Sequence, residues 1–127
     1  MVSLVLLSHS PDIVSGVRDL ALEMAANANI FIAGGNGSGG LGSNYELIKS
    51  TMEEAYTDAG MVILYDLGSS AMTASLVLDE LEESWTNNIK MMNAPLVEGA
   101  IVAAVEIASG ATLVEIEATL KGIEIIK

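Results

Sequence analysis

The stretch Val2-Ser3-Leu4-Val5-Leu6-Leu7-Ser8-His9-Ser10-Pro11-Asp12 decides how the rest of the chain is read. From Val2 to Leu7 the side chains are apolar with one exception, Ser3, and show no alternation between apolar and polar. That is the pattern of a strand covered on both faces, as in a parallel sheet with helices packed on each side. The run then breaks into Ser8, His9 and Ser10. Pro11 suits a first helical position, Ser10 before it suits an N-cap, and Asp12 places a carboxylate in the opening turn, where free N–H groups favour an anion. A strand therefore runs directly into a helix, with an imidazole at the junction.

Working outward, the same unit recurs. Strand-length apolar runs stand at Asn29 to Ala33, Met61 to Tyr65 and, more weakly, Ile89 to Met92, and helical spacing fills Pro11 to Ala26, Ser43 to Ala59, Ser69 to Ser84 and Pro95 to Ser109. Pro95 repeats the role of Pro11. Thr112 with Glu115 reads as a capping box that opens a short fifth helix, after which Gly122 and Ile123 to Ile126 suit a last strand. Four strand–helix alternations imply right-handed βαβ units. The expected fold is α/β, a three-layer sandwich with a mainly parallel four-stranded sheet flanked by helices and a fifth, C-terminal strand, forming one domain over residues 1–127.

Composition narrows the function. The 127 residues carry 17 Asp and Glu against five Lys and Arg, a formal charge of −12. Nucleic acid and anionic membrane surfaces need clustered cations, so neither is expected as a partner. With no cysteine, disulfides, thiolate metal sites and cysteine nucleophiles are excluded. No apolar run is long enough for a membrane span, and the apolar start lacks a signal-peptide pattern, so a cytoplasmic location is expected.

In an open parallel sheet, ligands and reacting groups gather beyond the carboxyl ends of the strands. Here those positions hold Ser8-His9-Ser10, the run Gly34 to Ser43 with its many glycines, and Asp66-Leu67-Gly68-Ser69-Ser70. His9 is the one imidazole in the chain. A neutral imidazole becomes a nucleophile when a partner accepts the N–H of one ring nitrogen and leaves the other lone pair free. Asp66 is the acceptor if the first and third strands are neighbours, although each residue alone also suits a packing or turn role. The fitting electrophile is a phosphoryl group, because helix N-termini and glycine loops offer backbone N–H groups to phosphate oxygens. Ser10, Ser43, Ser69 and Ser70 add hydroxyls. With no Lys or Arg expected near these edges, the phosphoryl group has to come from a partner. No resident cofactor is expected, only a transient phosphoryl group on His9.

Rival readings come from other features. Gly35, Gly37 and Gly40 satisfy G-x-G-x-x-G, as do Gly37, Gly39 and Gly42, so a small nucleotide- or flavin-binding module is a second reading, although glycine density alone produces both registers. Walker A, HExxH and GxSxG are absent. The acidic bunch Asp79, Glu80, Glu82 and Glu83 suits a solvated helix face or, as a third reading, a docking face on a non-catalytic interaction protein. The methionines and Trp85 have core spacing, with Met72 a candidate exception one turn after the Asp66 edge. The helix Leu96 to Ala108 is apolar nearly all round, which fits burial in the fold or in a homodimer.

Taken together, four segments in this order resemble the mannose-type EIIA family of the bacterial phosphotransferase system, and within it the branch that serves dihydroxyacetone kinase. They are Leu7-Ser8-His9-Ser10, the loop Gly34 to Ser43, Leu64-Tyr65-Asp66-Leu67-Gly68-Ser69 with Met72, and Ala94-Pro95-Leu96-Val97-Glu98-Gly99-Ala100. The resemblance implies a phosphotransferase subunit in which His9 takes a phosphoryl group from the carrier HPr and passes it to ADP held on the subunit DhaL. The regenerated ATP then serves phosphorylation on DhaK. It also implies that Asp66 orients the imidazole, that Ser10, Gly39, Gly40, Gly42, Ser43, Gly68, Ser69 and Met72 surround the phosphoryl group or the partner, and that the protein dimerises. A sugar-transporter EIIA is the alternative within the family.

Overall fold

A computed structural model describes residues 1–127. Four strands form one sheet, β1 (Ser3–Ser8), β2 (Asn29–Gly34), β3 (Met61–Tyr65) and β4 (Ile89–Met92). The helices are α1 (Pro11–Met24), α2 (Tyr45–Ala55), α3 (Gly68–Glu80), α4 (Glu83–Thr86), α5 (Leu96–Ala108) and α6 (Leu113–Lys121). The strand order is β2-β1-β3-β4 and every pairing is parallel. All six residues of β1 and all five of β3 are buried, as their largely apolar runs without in–out alternation predict.

Alternate residues of each central strand feed two separate cores. Leu4, Leu6, Val62 and Leu64 pack with Val14 and Val17 of α1, Ala100, Ala103 and Ile107 of α5, and Ile116 and Leu120 of α6. Val5, Leu7, Ile63 and Tyr65 face the other way, against Ile48 and Met52 of α2 and Ala74 and Val77 of α3. The result is three layers. Tyr56 and Trp85 stack at 4.0 Å on the second face.

Sequence signals set the starts of α1 and α6. Ser10 accepts from the Ile13 N–H, and the Thr112–Glu115 capping box is present in full. Pro95 is the cap of α5 rather than its first helical residue. The third expected helix ends at Glu80 and a separate short helix, α4, follows. Among the methionines, Met52, Met61 and Met92 are buried, whereas Met24 and Met72 are exposed and are not core. The expected fifth strand is absent. Residues 123–127 pass beyond the end of β4, and their single backbone bond toward it runs from the Ile125 N–H to the Asn93 carbonyl (3.0 Å), so no ladder forms. No helix is long and apolar enough to cross a membrane.

Candidate functional site

The strand order creates the site. α1 connects β1 to β2 on one face, and α2 carries the chain from β2 across β1 to β3 on the other. The connections diverge between β1 and β3, and a crevice at such a switch point is where open α/β sheets place their functional groups. His9 follows β1 and Asp66 follows β3, and the Leu7–Tyr65 register pair sets them side by side.

Asp66 is gripped by donors. Its Oδ2 accepts from the Ser8 hydroxyl (2.8 Å) and the His9 N–H (3.1 Å), and its Oδ1 accepts from the Leu67 N–H (2.7 Å) and lies 3.3 Å from His9 Nδ1. Burial pushes the carboxyl upward, but the bonds from Ser8, from the His9 and Leu67 backbone and from the His9 ring together hold it below its ordinary value of 3.8. An ionised carboxylate only accepts, so the proton of neutral His9 sits on Nδ1 and Nε2 keeps its lone pair. The buried Ser70 hydroxyl lies 3.1 Å from Nδ1 and 3.4 Å from Asp66 Oδ1, closing the arrangement from below.

Nε2 faces outward to one group, the Ser69 hydroxyl at 2.6 Å. Ser69 is exposed in the first turn of α3, beside Gly68, so a rotamer change uncovers the lone pair next to a helix N-terminus. The geometry is that of a nucleophile oriented by a carboxylate and masked by a movable hydroxyl.

The other expected site residues divide into two groups. The Ser10 hydroxyl is spent on capping α1, and its N–H donates to Ser8 Oγ (3.0 Å). The Gly42 N–H donates to the His9 carbonyl (2.9 Å), so this glycine, at φ +133°, pins the His9 backbone. The Gly40 N–H is taken by Asn36 Oδ1 (3.1 Å), which also accepts from Ser38. Gly39, Ser43 and Met72 are exposed and make no hydrogen bond to His9 or Asp66. The loop amides are thus partly consumed inside the loop, which weakens the dinucleotide reading. So does the shape of the surface: its two concavities, of about 580 and 210 Å³, are lined by Asp19, Leu22, Glu23 and Ala26 and by Glu53, Glu80, Leu81, Glu82 and Trp85, away from both the loop and His9.

Ser8 and Lys127 take parts that the sequence reading does not give them, and Ser70, read there as a hydroxyl for the phosphoryl group, instead lies against Nδ1 and Asp66. Ser8 ends β1 and its hydroxyl holds Asp66; its signal is a polar residue at the last buried strand position. Ser70 carries the same signal at the start of α3. Lys127 corrects the expectation that no cation lies near these edges, since its Nζ reaches the carbonyl of Tyr65, the residue before Asp66.

Fold and site together define an α/β sandwich carrying a histidine–carboxylate pair at its topological switch point. The family model EIIA-man, described as the PTS system fructose IIA component, matches residues 3–117, and the chain belongs to that family. It is 33% identical over 118 residues to the phosphotransferase subunit DhaM of the PTS-dependent dihydroxyacetone kinase of Lactococcus lactis, covering 93% of this chain and 92% of that one. It is 35% identical over 121 residues to the phosphoryl donor subunit DhaM of PEP-dependent dihydroxyacetone kinase 1 of Listeria innocua, covering 95% and 94%. A crystal structure of a protein of unknown function, EF1359, superposes with a TM-score of 0.86 at 32% identity, covering 98% of this chain and 96% of that one.

Proposed function

We propose that this protein is a phosphohistidine carrier that delivers phosphoryl groups to a dihydroxyacetone kinase. The observation that carries the reading is the His9 geometry: Nδ1 is tied to an ionised carboxylate and Nε2 is directed outward behind a single serine hydroxyl. The names of the relatives point the same way, and they describe a phosphoryl donor subunit. The role is therefore that of a carrier within a multi-subunit enzyme rather than of the kinase itself.

In the first step Nε2 attacks the phosphorus of a phosphohistidine on HPr. The new N–P bond forms as the donor's N–P bond breaks, and the donor imidazole leaves with its electron pair. Asp66 offsets the positive charge that develops on the His9 ring, and the Nδ1 proton stays in place. In the second step the β-phosphate oxygen of ADP on DhaL attacks the same phosphorus, Nε2 leaves, and the ATP formed serves DhaK. Leu41, Leu67 and Met72, which are 77%, 57% and 71% exposed, give the rim apolar contacts suited to visiting proteins. We further propose a homodimer, with the open edge at β4 and the exposed Val97 and Val105 of α5 as the candidate contact; light scattering tests it.

The test is incubation with phosphoenolpyruvate, enzyme I and HPr. One acid-labile phosphoryl group per chain is expected, absent from His9→Ala, and it should discharge to ADP only with DhaL present. Labelling that persists in His9→Ala, or discharge to a sugar-specific EIIB domain in place of DhaL, would defeat the assignment.

A further inference from the structure

The chain has five cations, and four of them lie in other places or partnerships: Lys49 against Glu80, Lys90 and Lys121 against Glu117, and Arg18 in α1. The fifth, Lys127, folds back to the reactive rim. After α6 the Asn93 N–H donates to the Glu124 carboxylate (3.3 Å) and the Ile125 N–H to the Asn93 carbonyl (3.0 Å), so the segment is laid past the end of β4. Lys127 then reaches β3. Its Nζ donates to the Tyr65 carbonyl at 2.5 Å and lies 4.1 Å from the centre of the Tyr65 ring. That carbonyl is one residue beyond the last β3–β4 register pair, Leu64 with Met92. A cation over an aromatic face with a carbonyl acceptor is a fixed charge rather than a freely waving one. Lys127 takes part in none of the ion pairs of the molecule.

We infer that Lys127 is a positioning residue for phosphoryl uptake: its ammonium, held on the Tyr65 carbonyl and ring, sets the potential at the adjoining His9–Asp66 pair and offsets the charge that a phosphoryl group brings. The inference rests on the phosphocarrier reading. Transfer of PO₃⁻ to a neutral His9 that keeps its Nδ1 proton adds a net charge of about −1, with the negative charge gathered on the phosphoryl oxygens, at a rim that already holds Asp66, on a chain of net charge −12. The charged and titratable groups around Nζ are Tyr65 beneath it, Asp66 next along β3 and Glu124 on its own segment. Burial holds the ammonium below the ordinary lysine range, and the Asp66 charge acts in the opposite direction.

The experiment compares wild type, Lys127→Gln and Lys127→Arg in two measurements. In the first, equilibrium with phosphorylated HPr is read by phosphate-affinity gel. Lys127→Gln should shift it about three- to tenfold toward HPr at low salt, less as salt rises, because the residue is exposed and screened. Lys127→Arg should match wild type. In the second, the Asp66 carboxyl is titrated by carbon NMR in the unphosphorylated protein, and Lys127→Gln should move it upward. Unchanged melting temperature is expected throughout. An equilibrium in Lys127→Gln equal to wild type overturns the inference. Failure of wild type to accept from HPr would instead count against the phosphocarrier reading, and the Asp66 titration then decides by itself: an unmoved carboxyl overturns the role given to Lys127.

Discussion

Replacing Asp66 by Asn keeps size and shape and removes the charge, and the structure states what must follow. All the groups around the carboxylate are donors: the Ser8 hydroxyl, the His9 N–H, the Leu67 N–H, His9 Nδ1–H and the more distant Ser70 hydroxyl. An amide has one acceptor oxygen, so either orientation turns its NH₂ against a backbone N–H, that of Leu67 or that of His9. A part-buried donor left unsatisfied costs about 1–3 kcal/mol. If the NH₂ faces His9, Nδ1 becomes the acceptor and the proton moves to Nε2, which abolishes the free lone pair. If it faces Ser8, the tautomer survives but the charge-assisted bond, worth about 1.5–3 kcal/mol, is lost as positive charge develops on the ring. In the second case transfer should slow by about ten- to 150-fold and in the first by more, and in both urea stability should fall by about 1–3 kcal/mol. Single-turnover transfer from phosphorylated HPr by rapid quench measures the first, equilibrium denaturation the second. Nitrogen NMR of the one histidine reports the tautomer, expected as Nδ1–H in wild type. A wild-type ring protonated on Nε2, or an Asp66→Asn variant that transfers within twofold of wild type, would refute the reasoning.

Other expectations follow from the same contacts. Because the folded-state titration of Asp66 lies below its ordinary value of 3.8, its contribution is complete above that value and is lost as pH falls through the lowered one; the stability gap between wild type and Asp66→Asn in urea should be constant well above 3.8 and narrow as pH falls below it. A Cβ on Gly34 would meet Val14 Cγ2 at 2.6 Å and the Ser10 carbonyl at 2.7 Å, so Gly34→Ala should destabilise by about 1–3 kcal/mol and slow His9 phosphorylation by displacing the start of α1, read by denaturation and by the labelling assay. Thr112→Ala removes the acceptor of the Glu115 N–H, and the loss of one N-cap should cost about 1 kcal/mol without changing phosphotransfer.

Much of this was legible without coordinates, for identifiable reasons. The unbroken apolar run before Ser8 announced a strand buried on both faces, and proline with serine announced the helix after it, because local chemistry decides those elements. That placed His9 at a strand–helix junction. Ile123 to Ile126 misled because a β-branched run describes a suitable strand but not the presence of a ladder to join.

What the sequence by itself determined was the parallel α/β class, the helix starts at Ser10 and Thr112, and an imidazole and a carboxylate each at the carboxyl end of a strand. Only the tertiary structure decided that β3 lies next to β1, since strand order depends on which face each crossover covers and no local residue preference records it. From that adjacency come the Asp66–Nδ1 contact, the outward Nε2 behind Ser69, and the supporting hydroxyls of Ser8 and Ser70. Lys127 belongs with them: 61 positions from Asp66 in the sequence, it arrives at the rim because the segment after α6 is laid across the end of the sheet, a matter of packing that composition cannot express.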